Sequence, residues 1–265
     1  MRECVASWQH MNNFWQHFQY SLGLVVLRYF IFAGLVWLTW YVLFRKRIFH
    51  KKIQQRLPVN ADYRREILYS LLTMLIFAMV MALVFGTSFR QYTLLYTDSH
   101  QYGMWWFWLA FPLMFVIHDT YFYWTHRLMH HPKLFRSFHL LHHKSINPSP
   151  WAAYAFYPTE ALVEAGIIFV FVLLLPLTRL HLFLFFLAMI MYNVYGHLGW
   201  EIYPKNFHRS LVGRWINTSV NHNQHHQYFK GNYGLYFLWW DRWMGTIRED
   251  YDAKFREVKS RKREA

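Results

Sequence analysis

Two stretches of this chain, 22–44 and 67–86, are predominantly apolar over lengths that match a bilayer. A helix needs roughly 20 such residues to cross a ~30 Å hydrocarbon core. Backbone polar groups in lipid are satisfied only in a helix or a closed barrel, so these runs predict membrane helices. A third span is expected from about 104 to about 121. Two more, 161–175 and 180–196, are separated only by Pro176-Leu177-Thr178-Arg179 and read as a tight helical hairpin. The 161–175 arm is short enough to enter the membrane without fully crossing it. Hydrophobic residues make up 55% and aromatic residues 22% of the chain, a balance suited to a lipid-facing domain rather than a soluble one. Residues 1–21 lack the basic start, short apolar run and small-residue cleavage site of a secretory signal.

Charge orients the spans. The formal net charge is +14, and it is unevenly spread. Segment 45–65 holds eight Lys/Arg and one acid, and the tail after Trp200 holds twelve Lys/Arg. Segments 1–21, 87–103 and 176–180 hold one each. The positive-inside rule therefore places 45–65 and the tail in the cytoplasm. With hydrophobic spans present, an anionic membrane surface or acidic partner explains the basic surplus better than nucleic acid does. The basic run 45–52 reads as a topology signal. The single cysteine, Cys4, rules out an internal disulfide and a thiolate metal cluster.

With five passes, the end of the third span, the segment 126–143, the end of the fifth span and the tail all meet at one membrane face. The histidines lie in these segments. Eight of seventeen stand in three boxes, His126-Arg-Leu-Met-His130, His139-Leu-Leu-His142-His143 and His222-Asn-Gln-His225-His226. At this histidine frequency the H-x-x-H-H pattern is expected about 0.07 times by chance; it occurs twice. Helix positions i, i+3 and i+4 share one face, so each such box is expected to present three imidazoles to one point. Eight nitrogens exceed the needs of one ion, and two ions are the natural reading. His197, at the end of the fifth span, is a ninth candidate. Asn193, one turn earlier, is placed to hold a metal-bound water.

Imidazole suits Zn, Cu, Fe and Ni alike, so ligand type does not name the metal. There is no H-E-x-x-H and hence no sign of a zinc peptidase. Iron activates O2, and lipids offer mainly C–H bonds, so oxygen chemistry fits a lipid-embedded pair of ions better than hydrolysis does. Asp119, Glu160, Glu164, Glu201 and Asp241 are the acids nearest the boxes. A ligating histidine usually gives its second N–H to a carboxylate or carbonyl, and Asp241 is the acid favoured for that role. His131 is expected to cap rather than ligate, and His118 to lie deeper in the membrane. His10, His17, His50, His100, His181 and His208 fall outside every pattern and are expected to be interfacial or exposed.

At the three boxes the sequence resembles the fatty acid hydroxylase/sterol desaturase superfamily of membrane diiron oxygenases. That family's order is H-x-x-x-H, H-x-x-H-H, an intervening histidine and a late H-x-x-H-H. Flanking words agree, among them Asp119-Thr-Tyr-Phe-Tyr-Trp-Thr-His126-Arg127, Asn193-Val-Tyr-Gly-His197, Trp240-Asp241-Arg242 and Gly245-Thr246. The resemblance covers roughly residues 103–250. It implies a diiron site in a cytoplasmic cap over a helix bundle, with O2 as co-substrate. It also implies a separate electron donor, a ferredoxin-like protein or a b-type cytochrome. Some members carry a histidine where Asn193 stands, and some carry a fused haem domain of which nothing is visible here.

The resulting expectation is an all-α integral membrane protein, with four to five transmembrane helices and a cytoplasmic helical cap holding a histidine-rich dimetal site. Residues 1–100 would supply N-terminal membrane helices and the basic loop, 101–250 the catalytic region, and 251–265 a basic tail. The metal ligands would be His126, His130, His139, His142, His143, His197, His222, His225 and His226, binding two Fe ions that Zn can replace on purification. Asn193 and Asp241 would support them. The expected activity is O2-dependent hydroxylation of a lipid C–H bond, with desaturation by the same family as the alternative. The membrane would be a bacterial inner membrane or the endoplasmic reticulum. A metal transporter is disfavoured, since transporters place ligands near the bilayer midplane in broken helices.

Overall fold

A computed structural model describes residues 13–98 and 101–262, and every regular element among them is a helix. Cys4, His10 and His100 lie outside the described residues. Helix α1, Phe14–Trp37, starts where the Asn13 side chain accepts the Gln16 N–H at 2.9 Å. It continues as a π-helical turn, Leu38–Leu43. Helix α2, Asn60–Gly86, opens with Asp62 accepting the Val59 N–H at 3.1 Å, an acid suitably placed in a first turn. α1 and α2 are the most extensively packed helix pair.

Helix α3, Gly103–Met129, runs well past the boundary near 121 expected from apolarity and carries His126 on its last turns. Two short helices follow, α4 at Pro132–Phe138 and α5 at Leu140–His143. The expected span 161–175 is not one helix. It is α6, Pro158–Ala165, and α7, Ile167–Leu174, broken at Gly166. A Cβ on Gly166 would lie 2.5 Å from the Tyr121 hydroxyl, which donates to the Val163 carbonyl at 2.7 Å, so a side chain is excluded there. Helix α8, Arg179–Gly196, is capped by Thr178 and ends at His197. The cap is completed by α9, Ser219–Tyr228, α10, Trp239–Trp243, and α11, Tyr251–Ser260.

Three helical stretches among the described residues are long and apolar enough to cross a membrane, namely Phe14–Leu43, Asn60–Gly86 and Arg179–Gly196. α3 matches α2 in length, but its polar and indole-bearing residues dilute its apolarity. The chain is a membrane protein, all-helical over its described residues.

The basic loop after α1 is partly a structural strut. Arg45, Lys46 and Arg47 are exposed, but Lys52 is fully buried. Its ammonium donates to Asn147 Oδ1 at 3.1 Å and sits 4.8 Å from the centre of the Trp200 ring. Gln54 donates to the Ile146 carbonyl at 2.8 Å and to Asn223 Oδ1 at 3.0 Å. Three histidines expected to be interfacial or exposed are buried instead. His17 stacks on Phe85, His181 bonds the Phe107 carbonyl, and His208 packs on Phe255.

Candidate metal centre

Box one straddles the end of α3, with His126 in its last turn and His130 at its C-cap. His139 stands at the residue before α5, which carries His142 and His143. α9 carries box three. Thr218 caps it by accepting the Asn221 N–H at 3.2 Å, and every residue from Ser219 to His226 is buried. His197 follows the last turn of α8.

All nine predicted histidines converge, in two groups. His126, His130, His139, His143 and His225 form one, and His142, His197, His222 and His226 the other. Within each group the candidate ligand atoms lie within 4.8 Å of one another. The expectation that each H-x-x-H-H box aims three rings at one point fails for a geometric reason. At 3.6 residues per turn, positions i and i+4 are ~40° apart, while i+3 lies ~100° from i+4. His139 and His143 therefore join the first group and His142 the second, while His222 and His226 join the second and His225 the first.

Ring orientation fits a cation. His126 Nδ1 faces the Tyr233 carbonyl at 2.8 Å and His139 Nδ1 faces Glu160 Oε1 at 2.6 Å. In neutral rings these contacts place the proton on Nδ1 and leave Nε2 a bare lone pair. Yet the two Nε2 atoms are 2.9 Å apart. The second group repeats the pattern. His197 Nδ1 faces the Asn193 carbonyl at 2.8 Å, His226 Nδ1 faces the Ser145 carbonyl at 3.0 Å, and their Nε2 atoms are 3.1 Å apart. Lone pairs facing each other this closely repel unless a positive charge lies between them. Nitrogens sharing an ion at ~2.1 Å and a right angle would stand ~3 Å apart. Burial, reinforced by neighbouring rings, holds His139, His142, His143, His222, His225 and His226 well below the usual imidazole range, in the neutral form a ligand needs. The histidine clusters can bind metal.

Of the five acids near the boxes, Glu160 is the one that meets a box histidine's ring nitrogen. Asp241 instead accepts the Tyr233 and Gly234 N–H groups at 2.9 and 2.8 Å and the Thr246 hydroxyl at 2.7 Å. It shapes the loop whose Tyr233 carbonyl orients His126, and so acts one step removed. Asp119 accepts the Tyr236 and Phe237 N–H groups at 2.8 and 3.1 Å, and Glu201 accepts those of Tyr203 and Val220 at 2.9 and 3.1 Å. Asn193 donates from its amide to the Ala153 carbonyl at 2.8 Å. His118 bonds the Tyr236 hydroxyl at 3.0 Å, outside both groups. His131 is exposed and caps α4.

An apolar cavity of about 970 Å³, counting its open mouth, lies between α1, α2, α3, α6, α7 and α8. Its wall touches both histidine groups. Phe122 stands 4.9 Å from the His126 ring and Phe156 stands 5.1 Å from the His142 ring, centre to centre. Arg28 also lines it, with a buried Nε that has no hydrogen-bond partner. Its signal in the sequence is a charge inside the apolar span 22–44.

The family model for fatty acid hydroxylase matches residues 111–246, which include all nine histidines. A Delta(7)-sterol 5(6)-desaturase of Gibberella zeae is 35% identical over 226 residues, covering 83% of this chain and 65% of the relative. A Delta(7)-sterol 5(6)-desaturase of Leptosphaeria maculans is 30% identical, covering 87% of this chain and 61% of the relative. The lathosterol oxidase of Homo sapiens is 24% identical, covering 92% of this chain and 79% of the relative. The chain thus spans less than two thirds of the length of the first two. No solved structure matches it. The family match and the 35% identity together establish that this chain belongs to the fatty acid hydroxylase family.

Proposed function

We propose that the protein is a membrane oxidoreductase that oxidises a C–H bond of a lipid with O2, using two iron ions held by the nine histidines. The observation that carries this reading is the five-and-four division of those histidines beside an apolar cavity. His126, His130, His139, His143 and His225 would hold one ion, and His142, His197, His222 and His226 the other; zinc can occupy the same nitrogens. When bound, the iron pair supplies the capacity to activate O2 and abstract hydrogen from an unactivated carbon.

The chain's own residues do the rest. Glu160 and the carbonyls of Tyr233, Gly231, Ser145 and Asn193 fix five rings with Nε2 turned inward. Phe122 and Phe156 form the partition between lipid cavity and rings, where a hydrocarbon displaces water. The sterol relatives favour removal of two hydrogens across a ring bond, with hydroxylation as the family-level alternative. Either outcome draws two of the four electrons that O2 requires from the substrate. The other two must come from a separate donor such as a ferredoxin-like protein or a b-type cytochrome. The cytoplasmic face is the side proposed for the site, since the loop carrying Lys52 and Gln54 packs against the cap and Arg261 of the tail reaches the Ile53 carbonyl. The membrane would be a bacterial inner membrane or the endoplasmic reticulum.

The test is product analysis. Iron-loaded protein with a reductase system, O2 and a Δ7-sterol in mixed micelles should yield a product two mass units lighter, or sixteen heavier if hydroxylation wins. Full product formation by His142→Ala would overturn the two-iron reading.

A further inference from the structure

The cavity is lined mostly by apolar side chains, with Ser21, Arg28, His118, Glu164, Arg179 and Asn193 as its polar residues. Glu164 lines it from α6, and its carboxyl makes no hydrogen bond to any described residue. It is four residues beyond Glu160, which holds His139, and therefore about 6 Å further along the same helix face. Tyr121, its close neighbour, is already committed to the Val163 carbonyl. Arg28 lines the same cavity and is not bonded to Glu164. A carboxyl that faces a lipid cavity without a protein partner calls for a ligand that donates a hydrogen bond.

We propose that Glu164 is a specificity-determining residue that accepts a hydrogen bond from the substrate's hydroxyl group. This rests on the lipid-oxidation reading above and deepens it. A hydroxyl seated one helical turn from the ring held by Glu160 sets the oxidised carbon only a few bonds from that hydroxyl. The sterol skeleton meets this requirement, since C3, which bears its hydroxyl, is two bonds from C5. An unesterified acyl carboxylate does not, because it has no O–H to donate.

The experiment measures binding to zinc-loaded full-length protein in micelles, without turnover. The probes are a 3β-hydroxy Δ7-sterol and its 3-deoxy counterpart. Wild type should bind the hydroxyl form about tenfold more tightly, the usual scale for one buried polar contact. Glu164→Leu should bind the two probes equally while keeping its affinity for the deoxy sterol and its metal content. Glu164→Gln, which retains an acceptor oxygen, should preserve part of the preference. Equal binding of both probes by wild type overturns the Glu164 assignment alone, as does an undiminished preference in Glu164→Leu. Failure of wild type to bind either sterol overturns the sterol reading and the assignment with it.

Discussion

His142 and His143 are adjacent in sequence, yet their rings belong to different groups of converging nitrogens. His143 joins His130, whose Nε2 is 3.1 Å away, and His142 joins His197, at 3.3 Å. One peptide bond thus separates ligands of two candidate ions.

That division makes metal loss selective. His222→Ala leaves three nitrogens in the smaller group, while His130→Ala leaves four in the larger. The first variant should fall to about one metal ion per chain, and the second should stay nearer two. Elemental analysis of folded protein from iron-sufficient cells checks this. Loss of both ions in His222→Ala would show that the groups do not bind independently.

Glu160 ties His139 to α6 through a buried contact of 2.6 Å. Removing such a partner typically costs 10–100-fold in metal affinity. Glu160→Ala should lose that much in competition against a chelator. Glu160→Gln keeps an acceptor and should lose less, with the metal-to-ligand spectrum shifted because the charge is gone. Indistinguishable affinities for the two variants would mean the carboxylate contributes nothing.

Burial lowers the Lys52 ammonium from 10.5 to about 7, with Arg56 adding to the effect. In the unfolded chain the proton stays to about pH 10.4. Between about pH 7 and 10 the unfolded state holds more protons, so stability should rise with pH across that window. Below about pH 7 the full cost of the buried charge remains. Lys52→Met should flatten this dependence and raise the melting temperature at acidic pH by a few degrees. Thermal melts in detergent at pH 6 and pH 9 decide it; parallel shifts in both proteins would remove Lys52 as the cause.

Gly166 and the Tyr121 hydroxyl are incompatible with a Cβ between them. Gly166→Ala should destabilise by about 1–3 kcal/mol, the usual range for an overpacked site. Tyr121→Phe should recover part of that loss by removing the clashing oxygen, giving a non-additive double mutant. Additive losses would place the strain at the Val163 carbonyl, which is 2.9 Å from the added carbon.

The nine histidines were legible in the sequence because the H-x-x-H-H spacing recurs far beyond chance. The five-and-four division follows from the 3.6-residue period, but only when the ~100° between i+3 and i+4 is taken seriously. Which acid meets which ring was not legible. Glu160 and His139 are 21 residues apart on different helices, and only the tertiary fold brings them together. The break at Gly166 was hidden because 161–175 is uniformly apolar, and apolarity reports the environment rather than helix continuity. The burial of Lys52 was not legible because a lysine in a basic run normally marks solvent, whereas here Trp200, Tyr41 and Asn147 enclose it.

Tyr233, Gly231, Ser145 and Asn193 orient four of the rings through main-chain oxygens rather than side chains. Each of those contacts survives any substitution that leaves the local backbone path intact. Neighbouring positions are therefore free to drift while the rings stay aimed. A lineage could remodel the shape and polarity of the lipid cavity, and so acquire new substrates, without first having to rebuild its oxidising centre.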